Sequence, residues 1–154
     1  MDYTVVKWVH ILSSTLLFGT GIGSAFYMLF VSLKAEPKAV AILVRYVVRA
    51  DWLFTAPTVI LQPLSGFYLA HLAGFPMTSK WIVVSSALFG VAVVAWLPVV
   101  WMQIRMRDLA QQAVEQDRPL PKRYWRYLEL WSLLGMVAFF ALVAIFWLMV
   151  GKPA

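Results

Sequence analysis

The chain alternates between long apolar stretches and short polar breaks. The apolar stretches lie at residues 3–33, 52–72, 81–102 and 128–150. A helix needs ~20 apolar residues to cross a bilayer, because each residue adds ~1.5 Å. The breaks between the stretches carry prolines, glycine and charges, which typically end apolar helices. The pattern therefore predicts an all-α fold, an integral membrane four-helix bundle formed by a single transmembrane domain over residues 1–154.

Two further segments are amphipathic or polar. Residues 39–49 place Arg45 and Arg49 one turn apart among aliphatic side chains, which predicts an amphipathic lead-in at the membrane interface before the second span. The third span continues beyond residue 102 into charged sequence that reaches Glu115. This pattern predicts a water-exposed extension of the third helix.

The composition is that of a membrane protein. Of the 154 residues, 62% are hydrophobic and 13% are charged, and the mean hydropathy is +0.79. Soluble domains average about 45–50% apolar and about 25% charged residues. The net charge of +6 is spread thinly, so we expect it to meet the headgroups of the lipid bilayer and not nucleic acid. The sequence has no cysteine, which excludes disulfides and thiolate metal sites within it.

Basic residues divide unequally between the two sides of the predicted bundle. Ten of the 13 fall in the connections that follow the first and third spans, and the other three are Lys7, Lys80 and Lys152. Positively charged connections remain in the cytoplasm. We therefore predict that both long connections and the extension of the third helix are cytoplasmic, with both termini outside (N-out/C-out).

The first span contains features that a helix facing only lipid does not need. His10 lies within it, and Gly19 and Gly23 are spaced four residues apart, which allows another helix to approach closely. We expect this helix to pack in the centre of the bundle and to present His10 to the interior. The predicted topology places His71 and Lys80 at the same membrane depth, where ionisable groups are candidates for function.

These residues also carry a resemblance to a known family. Lys7-Trp8-Val9-His10 opens the first span, a Gly-rich stretch and a basic connection follow, and Lys80 heads the third helix. In this arrangement the chain resembles a branch of predicted integral membrane proteins in the bacterial superfamily that includes CopD-type copper-resistance proteins and HemJ-type protoporphyrinogen oxidases. The resemblance implies a bacterial inner (plasma) membrane protein, with His10 and Lys80 matching the His and Lys that the HemJ family links to b-type haem.

Each candidate site residue has two interpretations. His10 is either an axial ligand of the haem iron or an interfacial histidine that bonds a carbonyl or headgroup. His71 is either a second ligand or a residue of the aqueous turn. Lys80 either binds a haem propionate or carboxylated substrate, or extends to the interface as helix-end lysines do.

For two other polar residues in or next to the second span, we predict structural contacts. Asp51 is expected to form an interfacial ion pair with Arg45 or Arg49. Gln62 lies near the middle of the span, where we expect it to bond Ser85 or Ser86 across the bundle.

The sequence is compatible with two functions. The first is a haem b protein that transfers electrons or oxidises a small molecule or porphyrinogen near the outer face, as a haem-dependent oxidoreductase with His10 as iron ligand. The second is a non-enzymatic bundle, either a subunit of a larger complex or a small transporter, in which His10 is structural. Besides the lipid bilayer, the partners left open are further copies of the chain in a homo-oligomer or a larger membrane complex.

Overall fold

The computed structural model describes residues 2–153 as helices joined by short turns. The helices are α1 (Tyr3–Lys34), α2 (Pro37–Ala50), α3 (Ala56–Leu72), α4 (Lys80–Glu115) and α5 (Lys122–Gly151), and a π-helical segment (Asp51–Thr55) joins α2 to α3. Residues 37–72 thus form one continuous helical path, and the architecture consists of four helical rods. No β-strand occurs in residues 2–153, so the predicted all-helical fold is confirmed.

Three of these helices can cross a membrane by length and composition: α1, α4 and α5. Helix α3 alone has 17 residues, or roughly 26 Å at ~1.5 Å per residue, slightly less than the ~30 Å hydrocarbon core. Its ability to span therefore depends on its continuity with the π-helical segment. The crossing by the second predicted span remains a prediction.

The beginning of α1, the end of α5 and the turn at residues 73–79 lie at one end of the bundle, which we name the terminal end. We name the opposite end, where α2 and residues 116–121 lie, the connection end. At the terminal end the Asp2 side chain accepts a hydrogen bond from the Thr4 amide (3.1 Å) and caps α1. Gly74 adopts a positive φ of 72° just after α3, a conformation that glycine adopts at little cost. Lys152 Nζ lies 5.0 Å from the ring centre of Phe75 in that turn.

The largest hydrophobic core lies at the connection end. Its best-buried side chains come from all four rods: Met28, Val40, Val44, Met106 and Tyr124 are each fully buried. The apolar face of α2 packs against α4 and α1. The amphipathic pattern of α2, from which an interfacial lead-in was predicted, is therefore explained by packing inside the protein.

The rods associate as two pairs. Helix α1 packs along α3, and α4 packs along α5 in the most extensive helix contact of the molecule. The two pairs meet at the connection end, where α2 packs against α4, and along α1 and α5 at two levels. Phe18 contacts Phe139 and Phe146 at 5.4 and 5.2 Å between ring centres, and the hydroxyls of Ser32 and Tyr124 are 2.6 Å apart. Between these two levels the pairs separate.

The expected close approach of a helix to Gly19 and Gly23 is wrong within this chain. A Cβ added at either glycine would meet no described atom within 4 Å, and Gly19 is exposed. The glycine that a side chain of α1 contacts closely is instead Gly66 of α3, where His10 packs.

Candidate functional site

His10 joins α1 to α3 near the terminal end. Its Nδ1 atom lies 2.7 Å from Ser65 Oγ, and its ring lies directly over Gly66. A Cβ added at Gly66 would be 3.1 Å from His10 Cε1, closer than an ordinary van der Waals contact. The absence of a side chain at Gly66 therefore provides the space that the half-buried imidazole occupies.

The hydrogen bonds around Ser65 assign a tautomer to His10. Ser65 Oγ donates its only proton to the Leu61 carbonyl oxygen at 2.6 Å, as is common for serine in membrane helices. Ser65 then accepts from His10, so a neutral imidazole carries its proton on Nδ1. This arrangement leaves His10 Nε2 with a free lone pair. Metal-bound histidines commonly have this form, with one ring nitrogen donating a hydrogen bond and the other available to the metal.

Ser13 and Gln62 lie about one helical turn from His10 and Ser65 along their own helices, and Ser85 lies in the second turn of α4. Within the described chain, Ser13 Oγ, Gln62 Oε1 and Ser85 Oγ have no hydrogen-bond partner. The predicted bond from Gln62 to Ser85 is therefore absent, and Ser86 instead donates to the Ile82 carbonyl at 2.8 Å. Unpartnered polar atoms are costly in a bundle interior. A bound group that formed hydrogen bonds with these three atoms would remove that cost.

The other two predicted site residues lie on the surface. His71 in the last turn of α3 and Lys80 at the start of α4 are exposed. Among residues 2–153, no hydrogen bond joins either of them to His10, and no group of three or more His, Asp or Glu side chains could hold a metal ion. The roles of His10, His71 and Lys80 in haem binding remain predictions.

A cavity of about 450 Å³ lies deeper in the bundle, between the two helix pairs. This is within the ~300–1,000 Å³ typical of ligand pockets. Its walls are almost entirely apolar and come from all four rods; they include Leu17, Val59, Val93 and Leu142. His10 is not among the lining residues, and it precedes Leu17 by about 10 Å along α1 at ~1.5 Å per residue. The cavity and the His10 site are therefore separate features.

Polar side chains gather at the connection end of the cavity. Asp51 and Gln103 are 6% and 2% exposed and both line the cavity, together with Trp96 and Trp131. Thr55 donates to Asp51 Oδ1 at 2.8 Å. Asp51 Oδ2, Gln103 Oε1 and the indole N–H groups of the two tryptophans have no partner among the described residues.

The burial of Asp51 corrects the prediction of an interfacial ion pair. Asp51 begins the π-helical segment, and such segments are often found at functional sites. Arg45 instead donates to Gln111 at 3.1 Å, and Arg49 lies over the Tyr46 ring. The salt bridge found in the described chain joins Arg107 to Asp108.

Sequence reasoning missed the polar end of this cavity. Gln103 is an amide that directly follows the third predicted span, and Asp51 is an acid that directly precedes the second. Two polar residues at equivalent edges of neighbouring spans were the available signal. Trp131 offered none, because tryptophans near span ends are ordinary in membrane proteins. Trp96 lies inside the third predicted span, where an aromatic side chain does not stand out from its apolar neighbours.

A family model described as "Predicted integral membrane protein (DUF2269)" matches residues 4–153. No curated protein and no solved structure matches the chain.

Proposed function

This chain belongs to the DUF2269 family of predicted integral membrane proteins, and from that premise we propose that it is a b-type haem protein. It resides in the bacterial inner membrane with both termini on the periplasmic side, and His10 holds the haem iron near that face. Its function is electron transfer or the oxidation of a small molecule such as a porphyrinogen. We also propose that the chain is related to the HemJ-type and CopD-type proteins that it resembles.

The observation that carries the proposal is the free Nε2 atom of His10. Because Nδ1 donates to Ser65, whose own proton goes to Leu61, the lone pair of Nε2 is available to a metal. Ser65 and Gly66 hold the imidazole in one orientation, as the neighbours of metal-bound histidines do. When bound, haem b supplies one-electron chemistry at its iron.

Lys80 and His71 have subordinate roles in this proposal. Lys80, exposed at the start of α4, is free to meet a haem propionate or an anionic substrate at the membrane surface. His71 is exposed at the end of α3. It is a weaker candidate for a second ligand, because a haem bound there would be open to water and not enclosed in a dry pocket.

The test is the absorbance spectrum of the purified protein before and after dithionite reduction. We expect the reduced spectrum of a b-type haem in the wild type. His10→Ala should lose most of the haem while retaining its helical circular dichroism, Lys80→Ala should keep haem with an altered spectrum, and exposed His71→Ala should match the wild type. Full haem retention by folded His10→Ala would contradict the ligand assignment. A wild type that never takes up haem would favour the alternative, a non-enzymatic bundle in which the His10–Ser65 bond is structural.

A further inference from the structure

The cavity between the helix pairs opens sideways toward the bilayer. Helices α1 and α5 touch at Phe18 with Phe139 and at Ser32 with Tyr124. The stretch between these contacts is lined by residues with small side chains, among them Gly21, Ala25 and Gly135. Gly21 and Ala25 are exposed although they line the cavity. The opening therefore faces the side of the bundle that lipid covers, and a molecule dissolved in the membrane can enter through it.

The polar end of the cavity offers both donors and acceptors. The indole N–H groups of Trp96 and Trp131 are free to donate, and Asp51 Oδ2 and Gln103 Oε1 are free to accept. Asp51, Gln103 and Trp131 are at least nine-tenths buried, so bulk water does not readily satisfy them. Leaving several buried polar atoms unpaired is unfavourable. A ligand that pairs them must therefore carry a head that both donates and accepts hydrogen bonds.

The unpaired donors and acceptors of the cavity determine which membrane-soluble ligands can bind there. An acyl chain fills the apolar walls but pairs none of the polar atoms. A fatty-acid carboxylate accepts hydrogen bonds but donates none, so it leaves the oxygens of Asp51 and Gln103 unpaired. A hydroquinone has hydroxyl groups that donate to Asp51 or Gln103 and oxygen lone pairs that accept from the tryptophans, and its alkyl or isoprenoid tail suits the apolar walls and the lateral opening.

We infer that this cavity binds a membrane-dissolved hydroquinone, with the ring hydroxyls at the Asp51–Gln103 end and the tail toward the opening between α1 and α5. The cavity residues are distinct from the His10 site, and binding of the hydroquinone does not require haem. The cavity holds the ligand through hydrogen bonds and apolar contacts.

The experiment measures binding of decylhydroquinone to the protein in lipid nanodiscs under anaerobic conditions, with empty nanodiscs as the background. The matched probes are its dimethyl ether, which cannot donate a hydrogen bond, and decylamine, which carries a positive charge. We expect decylhydroquinone to bind at least about tenfold more tightly than the ether, the factor that one well-formed buried hydrogen bond provides. The double variant Asp51→Leu/Gln103→Leu should abolish this preference while the ether still binds.

A second variant tests the route of entry. Gly135→Leu adds a side chain where no described atom lies within 4 Å, so it should fold normally, obstruct the opening and weaken binding of both the hydroquinone and the ether. Gly90→Leu is the control, because Gly90 on α4 is exposed, has the same free space and does not line the cavity. Equal binding of hydroquinone and ether would show that donation to Asp51 and Gln103 does not select the occupant. Tighter binding of decylamine would show that Asp51 captures a cation. Either result, or unchanged binding by Gly135→Leu, would overturn the inference.

Discussion

At the scale of the residue, the interior position of His10 could be predicted from the sequence, but its contact with α3 could not. An ionisable side chain inside an apolar stretch indicated an interior position for His10, and the structure places it half-buried against another helix. The partners Ser65 and Gly66 could not be predicted, because the pairing depends on the register between α1 and α3. Asp51 shows the same difficulty: Arg45 and Arg49 precede it in the sequence, yet it accepts a hydrogen bond from Thr55, one turn later along the helix.

Gly66 is expected to be sensitive even to a methyl group. Gly66→Ala places a Cβ 3.1 Å from His10 Cε1, so the ring must shift by a few tenths of an ångström and its bond to Ser65 will be strained. We expect reduced haem content or a shifted haem spectrum, together with a lower melting temperature in detergent. Gly19→Ala is the matched control, because an added Cβ there meets no described atom within 4 Å. Identical behaviour of the two variants would argue that the His10 position is not constrained by α3.

Ser65 provides a separate test of the assigned tautomer. In Ser65→Ala the imidazole loses the group that accepts its Nδ1 proton, so neither tautomer is favoured by that contact. We expect haem to bind more weakly than in the wild type, by about 10-fold or more, the range seen when groups that orient metal-bound histidines are removed. Ser65→Thr, which keeps the hydroxyl, should restore most of the affinity. The measurement is haem titration of the apoprotein; if Ser65→Ala binds haem as tightly as the wild type, Ser65 does not orient His10.

At the scale of the helix, α2 illustrates the limit of a hydrophobic pattern. Arg45 and Arg49, one turn apart among aliphatic side chains, predicted an amphipathic helix, and residues 37–50 do form one with a buried and an exposed face. The pattern alone cannot tell whether the apolar face contacts lipid or protein, since both surroundings are apolar. The answer comes from the long extension of α4, which carries Met106 and Ala110 to the buried face of α2.

This packing predicts a difference between two aliphatic residues of α2. Val44 is fully buried, whereas Ile42 is 49% exposed. Val44→Ala should destabilise the fold by about 2 kcal/mol, since each buried methyl group contributes ~0.8 kcal/mol and the remaining cavity adds to the cost. Ile42→Ala should cost clearly less. The check is reversible unfolding in mixed micelles. A larger effect for Ile42→Ala would indicate that the exposed face of α2 is the one that makes the stabilising contacts.

At the scale of the whole molecule, the four helical rods could be predicted from the sequence, but their arrangement in two pairs could not. The apolar stretches and their proline-containing breaks were sufficient to place the rods. Which sides of α1 and α5 face each other, and where they separate, depends on side-chain fit, as with Phe18 against Phe139 and the small residues beside it. In a bilayer the lipid-facing and protein-facing sides are both apolar, so hydrophobicity does not encode that choice. The cavity therefore became visible only in the structure.

The orientation of the molecule in the membrane gives the last prediction. Ten of the 13 basic residues lie toward the connection end, in the two long connections and the helical segments that continue them, while Lys7, Lys80 and Lys152 lie at the terminal end. The positive-inside rule then places the terminal end outside the cytoplasm. Alkaline phosphatase, which requires a periplasmic environment, should be active when fused after Pro153 and inactive when fused after Asp117. Green fluorescent protein, which matures in the cytoplasm, should give the opposite result at the same two positions. If the pattern is reversed, the basic connections have crossed the membrane, and His10 lies near the cytoplasmic face instead. The haem proposal would survive that result with its electron partner moved to the cytoplasm, because the bond between His10 and Ser65 does not depend on which side of the membrane it faces.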